Sequence, residues 1–351
     1  MPPRAFALPP ALPQFKPWPP VAVTLVAALA MYLWVWPWAT LNTGSLIKLT
    51  SIATAMLLAT ATWRLMVALK VERPERLAAC LMVMPSVASN VALLGQGDSL
   101  YAAPLILAVA CAVERRHAPM LLWVGAALAV SSKAAFIAPF FLALLIARRV
   151  PFRLWLLMPL VFALCMVSAW LAGWPASDLA TIDLSRESLV KDLSRNAPTI
   201  WTIVQLLPAA GVVPLTGLAI AAAVGASALY VAHFSVPGMI DRAPVAAAAL
   251  APLLVVGLLP QMHEHYFLVA DILVLAYAAA ARTRYAWTTA ALVQAGSMLG
   301  IVASLSGTAG LGCVGAVAMI VATVRLGAPL FRGPANDNPL PCKTVQSATV
   351  R

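Results

Sequence analysis

Two histidines flank a glutamate in Pro260-Gln261-Met262-His263-Glu264-His265-Tyr266-Phe267, where an apolar run begins, and Asp271 follows Glu264 by seven residues. On a continuous helix that spacing returns to one face about two turns further on. A carboxylate inside an apolar helix costs free energy unless it is paired or lines a wet cavity. The chemistry this suits is a polar wall against a phosphate or a sugar, with His263 or His265 able to carry a proton near neutral pH. The plain alternative is a helix start whose Glu264 complements the macrodipole.

Other polar positions offer similar choices. Gly95-Gln96-Gly97-Asp98-Ser99 is a turn in which Asp98 either caps the following helix or orients a sugar hydroxyl or a cation. In Ser131-Ser132-Lys133 the lysine either snorkels to headgroups or meets the phosphate of a lipid carrier as a point charge, and Lys48 has the same options. The stretch Asp178–Arg195 reads as an amphipathic helix lying on a bilayer, with Glu187 and Lys191 as an i,i+4 pair. Gly307, Gly310, Gly312 and Gly315 suit close helix packing. No CxxC, HExxH or Cys/His cluster supports a transition-metal site.

The elements that must carry these residues are membrane helices. The chain of 351 residues is 62% hydrophobic and 10% charged, with a mean hydropathy of +0.91. Globular domains run about 45–50% apolar and about 25% charged. A cytosolic enzyme, a secreted disulfide scaffold and a nucleic-acid binder are excluded. The expectation is an all-α polytopic membrane protein with about twelve spans of about 20 residues or fewer. These fall near 20–38, 46–69, 77–94, 99–113, 118–132, 134–147, 154–173, 211–231, 243–259, 265–281, 285–304 and 311–326, with 199–208 too short to cross. A proline-rich tail (1–19) precedes the transmembrane domain (20–326), and a disordered cytoplasmic tail (327–351) follows it.

Charge then orients the spans. One set of connections collects 18 basic and 5 acidic residues and the other 5 basic and 7 acidic. By the positive-inside rule the first set is cytoplasmic, with both termini. Every polar motif above then lies on the non-cytoplasmic face, as if around one cleft. The cytoplasmic connections are short, and neither a Walker A nor a GxGxxG pattern is present to hold a nucleotide.

With the motifs placed, a resemblance emerges. Met262-His263-Glu264-His265-Tyr266-Phe267 with Asp271 resembles the Met-His-Glu-Arg-Tyr-Phe signature of bacterial polytopic glycosyltransferases. These belong to the GT-C superfamily and are related to the mannosyltransferases of glycosylphosphatidylinositol-anchor synthesis. Gly95 through Tyr101, Lys133 with Pro139, Leu193-Ser194-Arg195-Asn196 followed by Trp201, and Leu46-Ile47-Lys48-Leu49 are similar to further motifs of that family, in the family's order over about residues 17–281.

The resemblance implies transfer of a sugar, with mannose the first candidate, from a polyprenyl-phosphate carrier to a lipid or glycan acceptor outside the inner membrane. It assigns Lys133, His263 and His265 to the lipid phosphate. Asp98, Glu264 and Asp271 go to sugar orientation or metal, with Glu264 and Asp98 as the catalytic candidates and Gln96 and Tyr266 as further contacts. A divalent cation is admitted because some relatives use one. The family's acidic base lies in a first outer loop, whereas no acidic residue precedes Glu72 here. The front of the family pattern is therefore expected to be missing or supplied by a partner subunit. The family's basic residue after His-Glu is His265. The rival expectations are a lipid or sugar transporter or flippase, and a catalytically inactive scaffold.

Overall fold

A computed structural model of the chain describes residues 45–89, 98–171, 193–194, 197–207 and 215–332. The described residues are all-helical, without strands. The helices are α1 (Ser45–Ala68), α2 (Pro74–Val83), α3 (Pro85–Ala88), α4 (Asp98–Val113), α5 (His117–Val130), α6 (Ala138–Ile146) and α7 (Leu157–Leu171). They continue with α8 (Ile200–Val204), α9 (Leu215–Phe234), α10 (Met239–Arg242), α11 (Pro244–Leu258), α12 (Leu268–Ala281), α13 (Arg284–Ser306) and α14 (Ala309–Phe331). Short 3-10 helices at Ser132–Ile137, Phe152–Leu156 and Glu264–Phe267 lead into α6, α7 and α12.

Five helical stretches are long and apolar enough to cross a membrane: Phe152–Leu171, Leu215–Phe234, Glu264–Ala281, Arg284–Ser306 and Ala309–Phe331. Shorter apolar helices occupy Ala53–Ala68, Asp98–Val113, His117–Val130, Ser132–Ile146 and Pro244–Leu258, where the sequence places further spans. The expected span 77–94 is broken after Val83, because Met84 is extended (ψ 135°) and Pro85 starts a new turn. The last helix runs to Phe331, past the boundary at 326. The span 20–38, the loop 178–192 and the tail beyond 332 lie outside the described residues.

The center of the bundle is α4, α11 and α12, whose residues are mostly buried. The alanine run 246–249 lets α11 approach its neighbours closely. Around this center pack α1, α5, α6, α9, α13 and α14. Tyr230 Oη of α9 donates to the Ala247 carbonyl at 2.7 Å, which satisfies a buried phenol. A prolyl ring closes the α13–α14 crossing: a Cβ at Gly300 would lie 2.7 Å from Pro198 Cδ, and one at Gly315 would lie 2.9 Å from the Gly296 carbonyl oxygen. Gly307 and Gly310 face open space, whereas Gly315 makes a close approach.

The outer helices show the opposite pattern. No residue of α7 is buried; Phe152, just before it, and Leu171 are each 74% exposed. Leu218, Val224 and Leu229 on α9 and Val314, Val317 and Val324 on α14 are also exposed. Apolar faces this extensive call for an apolar solvent, which a bilayer supplies.

The basic turns share one end of the bundle. Arg64 pairs with Glu114 (2.6 Å), Arg115 and Arg149 both meet Asp241, and Arg282 meets Glu72 (3.1 Å). Lys70, Arg115 and Arg148 each close a helix in the left-handed conformation (φ 54°, 59° and 53°). The next residue's N–H reaches back to the carbonyls of Met66, Cys111 and Leu144 respectively, as in a glycine-terminated helix. Basic side chains here interact favourably with the negative helix end, which helps offset the backbone strain.

Candidate functional site

The other end of the bundle carries the polar motifs. Asp98 lies in the first turn of α4, and at 1.5 Å per residue that helix sets it about 24 Å from the Glu114 end. Its carboxylate complements the positive pole of the helix. Next to it, Ser99 Oγ lies 3.2 Å from Thr54 Oγ1 of α1, fixing the start of α4 against its neighbour. Lys133 stands on the 3-10 helix after α5, where the Ser131 hydroxyl accepts its backbone N–H.

The third segment, His263 to Phe267, is positioned from below. Trp201 Nε1 donates to the Leu258 carbonyl at 2.6 Å, satisfying an orphan acceptor at the end of α11. Gln261 then turns through the left-handed region (φ 59°), and its N–H donates to the Leu193 carbonyl at 2.9 Å. Ser194 is in turn bound to Thr202 (2.7 Å) and to Gln205 through its N–H (3.1 Å). Leu193, Ser194 and Trp201 thus brace the His-Glu-His turn.

These segments converge. Lys133 Nζ donates to Asp98 Oδ1 at 3.1 Å and lies 4.6 Å from the Tyr266 ring center. His265 Nε2 is 3.6 Å from Asp98 Oδ2, and its Nδ1 is 3.8 Å from Glu264 Oε1. The His263 ring stands 5.2 Å from that of His265 and 5.3 Å from that of Tyr266. Phe136 covers Tyr266 from the Lys133 side, at 5.7 Å between ring centers. Asp98, Glu264 and His265 are 6%, 5% and 3% exposed, while Lys133 and His263 reach the rim.

The buried polar atoms here are not all satisfied. Asp98 Oδ2, Glu264 Oε2 and both ring nitrogens of His265 have no hydrogen-bond partner. The His265 contacts at 3.6 and 3.8 Å are too long to count as hydrogen bonds. Each such group costs about 1–3 kcal/mol relative to a satisfied one. Two of them are carboxylate oxygens, so the site as it stands calls for hydrogen-bond donors, such as the hydroxyl groups of a ligand. A neutral His265 would offer one donor and one acceptor to it. His263, Glu264 and His265 present ligand atoms within 4.8 Å of one another, a spacing that, among the described residues, could hold a cation.

Six residues singled out in the sequence (Asp98, Lys133, His263, Glu264, His265 and Tyr266) thus stand together. Gln96 lies outside the described residues, as does the side chain of Lys48. Lys133 does not snorkel outward; it pairs with Asp98. The 3-10 turn at Glu264–Phe267 advances about 120° per residue instead of about 100°, which widens the angle between Glu264 and Asp271 to about 60°. Asp271 bonds to α13, where Ser297 Oγ donates to its Oδ1 at 2.8 Å. Thr54, Phe136 and Ser297 were not apparent beforehand. Gln294 and Ser297, three apart in an otherwise apolar helix, were the signal for the last.

No family model matches the sequence, and no curated protein matches it.

Proposed function

We propose that this chain is a membrane glycosyltransferase that takes a sugar, mannose foremost, from a polyprenyl-phosphate carrier and passes it to a lipid or glycan acceptor on the non-cytoplasmic face of the inner membrane. The observation that carries this reading is the convergence of Asp98, Lys133 and the His263–Tyr266 turn, with buried polar atoms lacking partners. Supporting it is the gathering of the basic turns at the opposite end, which the positive-inside rule assigns to the cytoplasm. In this topology both termini are cytoplasmic, the shorter apolar helices serve as additional spans toward about twelve, and the site opens outward.

Within the site, Lys133, His263 and His265 face the carrier phosphate, and Asp98 holds Lys133 in place. Glu264, whose Oε2 is without a hydrogen bond, is the group best suited to take the acceptor proton. The acceptor oxygen bonds to the anomeric carbon as the bond from that carbon to the carrier phosphate breaks, with inversion. Tyr266 supplies an aromatic wall. A divalent cation bound at His263, Glu264 and His265 would add Lewis-acid stabilisation of the departing phosphate.

The test is transfer of radiolabelled mannose from a polyprenyl-phosphate donor by the purified full chain in liposomes. Product that depends on Glu264 and on the carrier supports the reading; no product with a range of carrier sugars and lipid acceptors overturns it. A lipid or sugar transporter is the second reading, favoured by the helix break at Met84–Pro85. Sugar movement across the vesicle without bond formation would select it.

A further inference from the structure

Asp271 belongs to a second polar cluster, deep among the apolar helices and distinct from the site above. Its side chain is fully buried, as are those of Ser297 and Ser86, and Gln294 is 9% exposed. Ser297 Oγ donates to Asp271 Oδ1 (2.8 Å), Ser86 Oγ bonds Gln294 Oε1, and Gln294 Nε2 reaches the Asp271 carbonyl at 3.4 Å. The cluster therefore joins α12, α13 and the broken segment α3.

Asp271 Oδ2 has no hydrogen-bond partner. No lysine, arginine or histidine is paired with this carboxylate among the described residues. An ionised carboxylate with only neutral neighbours is far too costly to leave uncompensated in an apolar interior. A proton on Oδ2, with the Ser86 hydroxyl as its neighbour, would neutralise it, and a bound cation would do so as well. A small cation needs only oxygen lone pairs, and the cluster offers them from one carboxylate, two hydroxyls and an amide. One negative charge with neutral oxygen ligands suits a hard monovalent ion. The break at Met84–Pro85, which carries Ser86 into the cluster, is the kind of helix interruption that membrane proteins keep where backbone and side-chain oxygens line a cavity or hold an ion.

We propose that Asp271, Ser297, Ser86 and Gln294 form a binding site for a sodium ion between α3, α12 and α13. The ion ties the broken segment to the central helices, so its binding stabilises the folded bundle. This does not depend on what the His263–Tyr266 site does.

The test is thermal unfolding of the purified full chain in detergent, with NaCl exchanged for choline chloride at constant ionic strength. An approximately hundredfold rise in sodium should raise the midpoint by a few degrees. Asp271→Asn should abolish the sodium response. Ser297→Ala keeps the carboxylate and should shift the response to higher sodium, so it carries the test if Asp271→Asn does not fold. A midpoint indifferent to sodium overturns the proposal, as does a response that survives in Asp271→Asn. A midpoint that rises only on acidification, with no effect of sodium, also overturns it by showing that Asp271 holds a proton.

Discussion

Lys133 Nζ lies 3.1 Å from Asp98 Oδ1, although the two residues sit on different helices and are separated by all of α4 and α5. Their side chains are 16% and 6% exposed, so this ion pair is largely withdrawn from water. Removing one partner of such a pair costs about 3–5 kcal/mol because the other charge is stranded, while removing both can be nearly neutral. Lys133→Met and Asp98→Asn are each expected to lower the unfolding midpoint in detergent by more than the double variant does. If the double variant unfolds at least as early as the worse single, the two charges are not coupled.

Catalysis gives a second expectation. Glu264→Gln keeps the shape of the side chain and removes the proposed base, so the proposed transfer should fall by about 10²–10⁴-fold. His263, half-buried at the rim, should tolerate alanine structurally but lose carrier binding, seen as a higher KM for the polyprenyl-phosphate sugar. Wild-type turnover in both variants at normal membrane abundance would reduce the motif to a helix start.

The site was legible in the sequence where chemistry and position coincide. A carboxylate at a helix start (Asp98), a lysine at a short turn (Lys133) and a His-Glu-His turn are all costly at membrane-span ends. Their joining into one cluster was not legible, since it depends on how α4, α5 and α11 pack. A uniform 100° step aligns Asp271 with Glu264, but nothing in an apolar pattern announces that the first turn is a 3-10 helix, which widens the angle between them. The helix break at Met84 was hidden for a related reason: Pro85 is visible, yet proline at the first turn of a helix is also ordinary.

The α13–α14 crossing makes a packing prediction. A Cβ at Gly315 would meet the backbone oxygen of Gly296 at 2.9 Å, and backbone cannot swing aside as a side chain can. Gly315→Ala should cost about 1–3 kcal/mol through overpacking. Gly310, on the same helix with open space around it, should accept alanine with little change in the unfolding midpoint. Equal effects at the two positions would mean that the glycines matter for flexibility, not for closeness.

Orientation decides which substrates the site can meet. The cluster around Asp98 and the basic turns occupy opposite ends of α4, and the basic end carries Arg64, Arg115, Arg116 and Arg149. The proposed topology keeps such positive turns in the cytoplasm and expects the cluster on the other side, as the proposed lipid-linked donor requires. Cysteines placed one at a time at Ser132, exposed beside Lys133, and at Arg115, exposed at the other end, report the orientation directly. In intact spheroplasts a membrane-impermeant maleimide should label Ser132→Cys and reach Arg115→Cys only after permeabilisation. The reverse pattern would place Lys133 and the His263–Tyr266 turn in the cytoplasm and remove the reason for a donor used on the outer face.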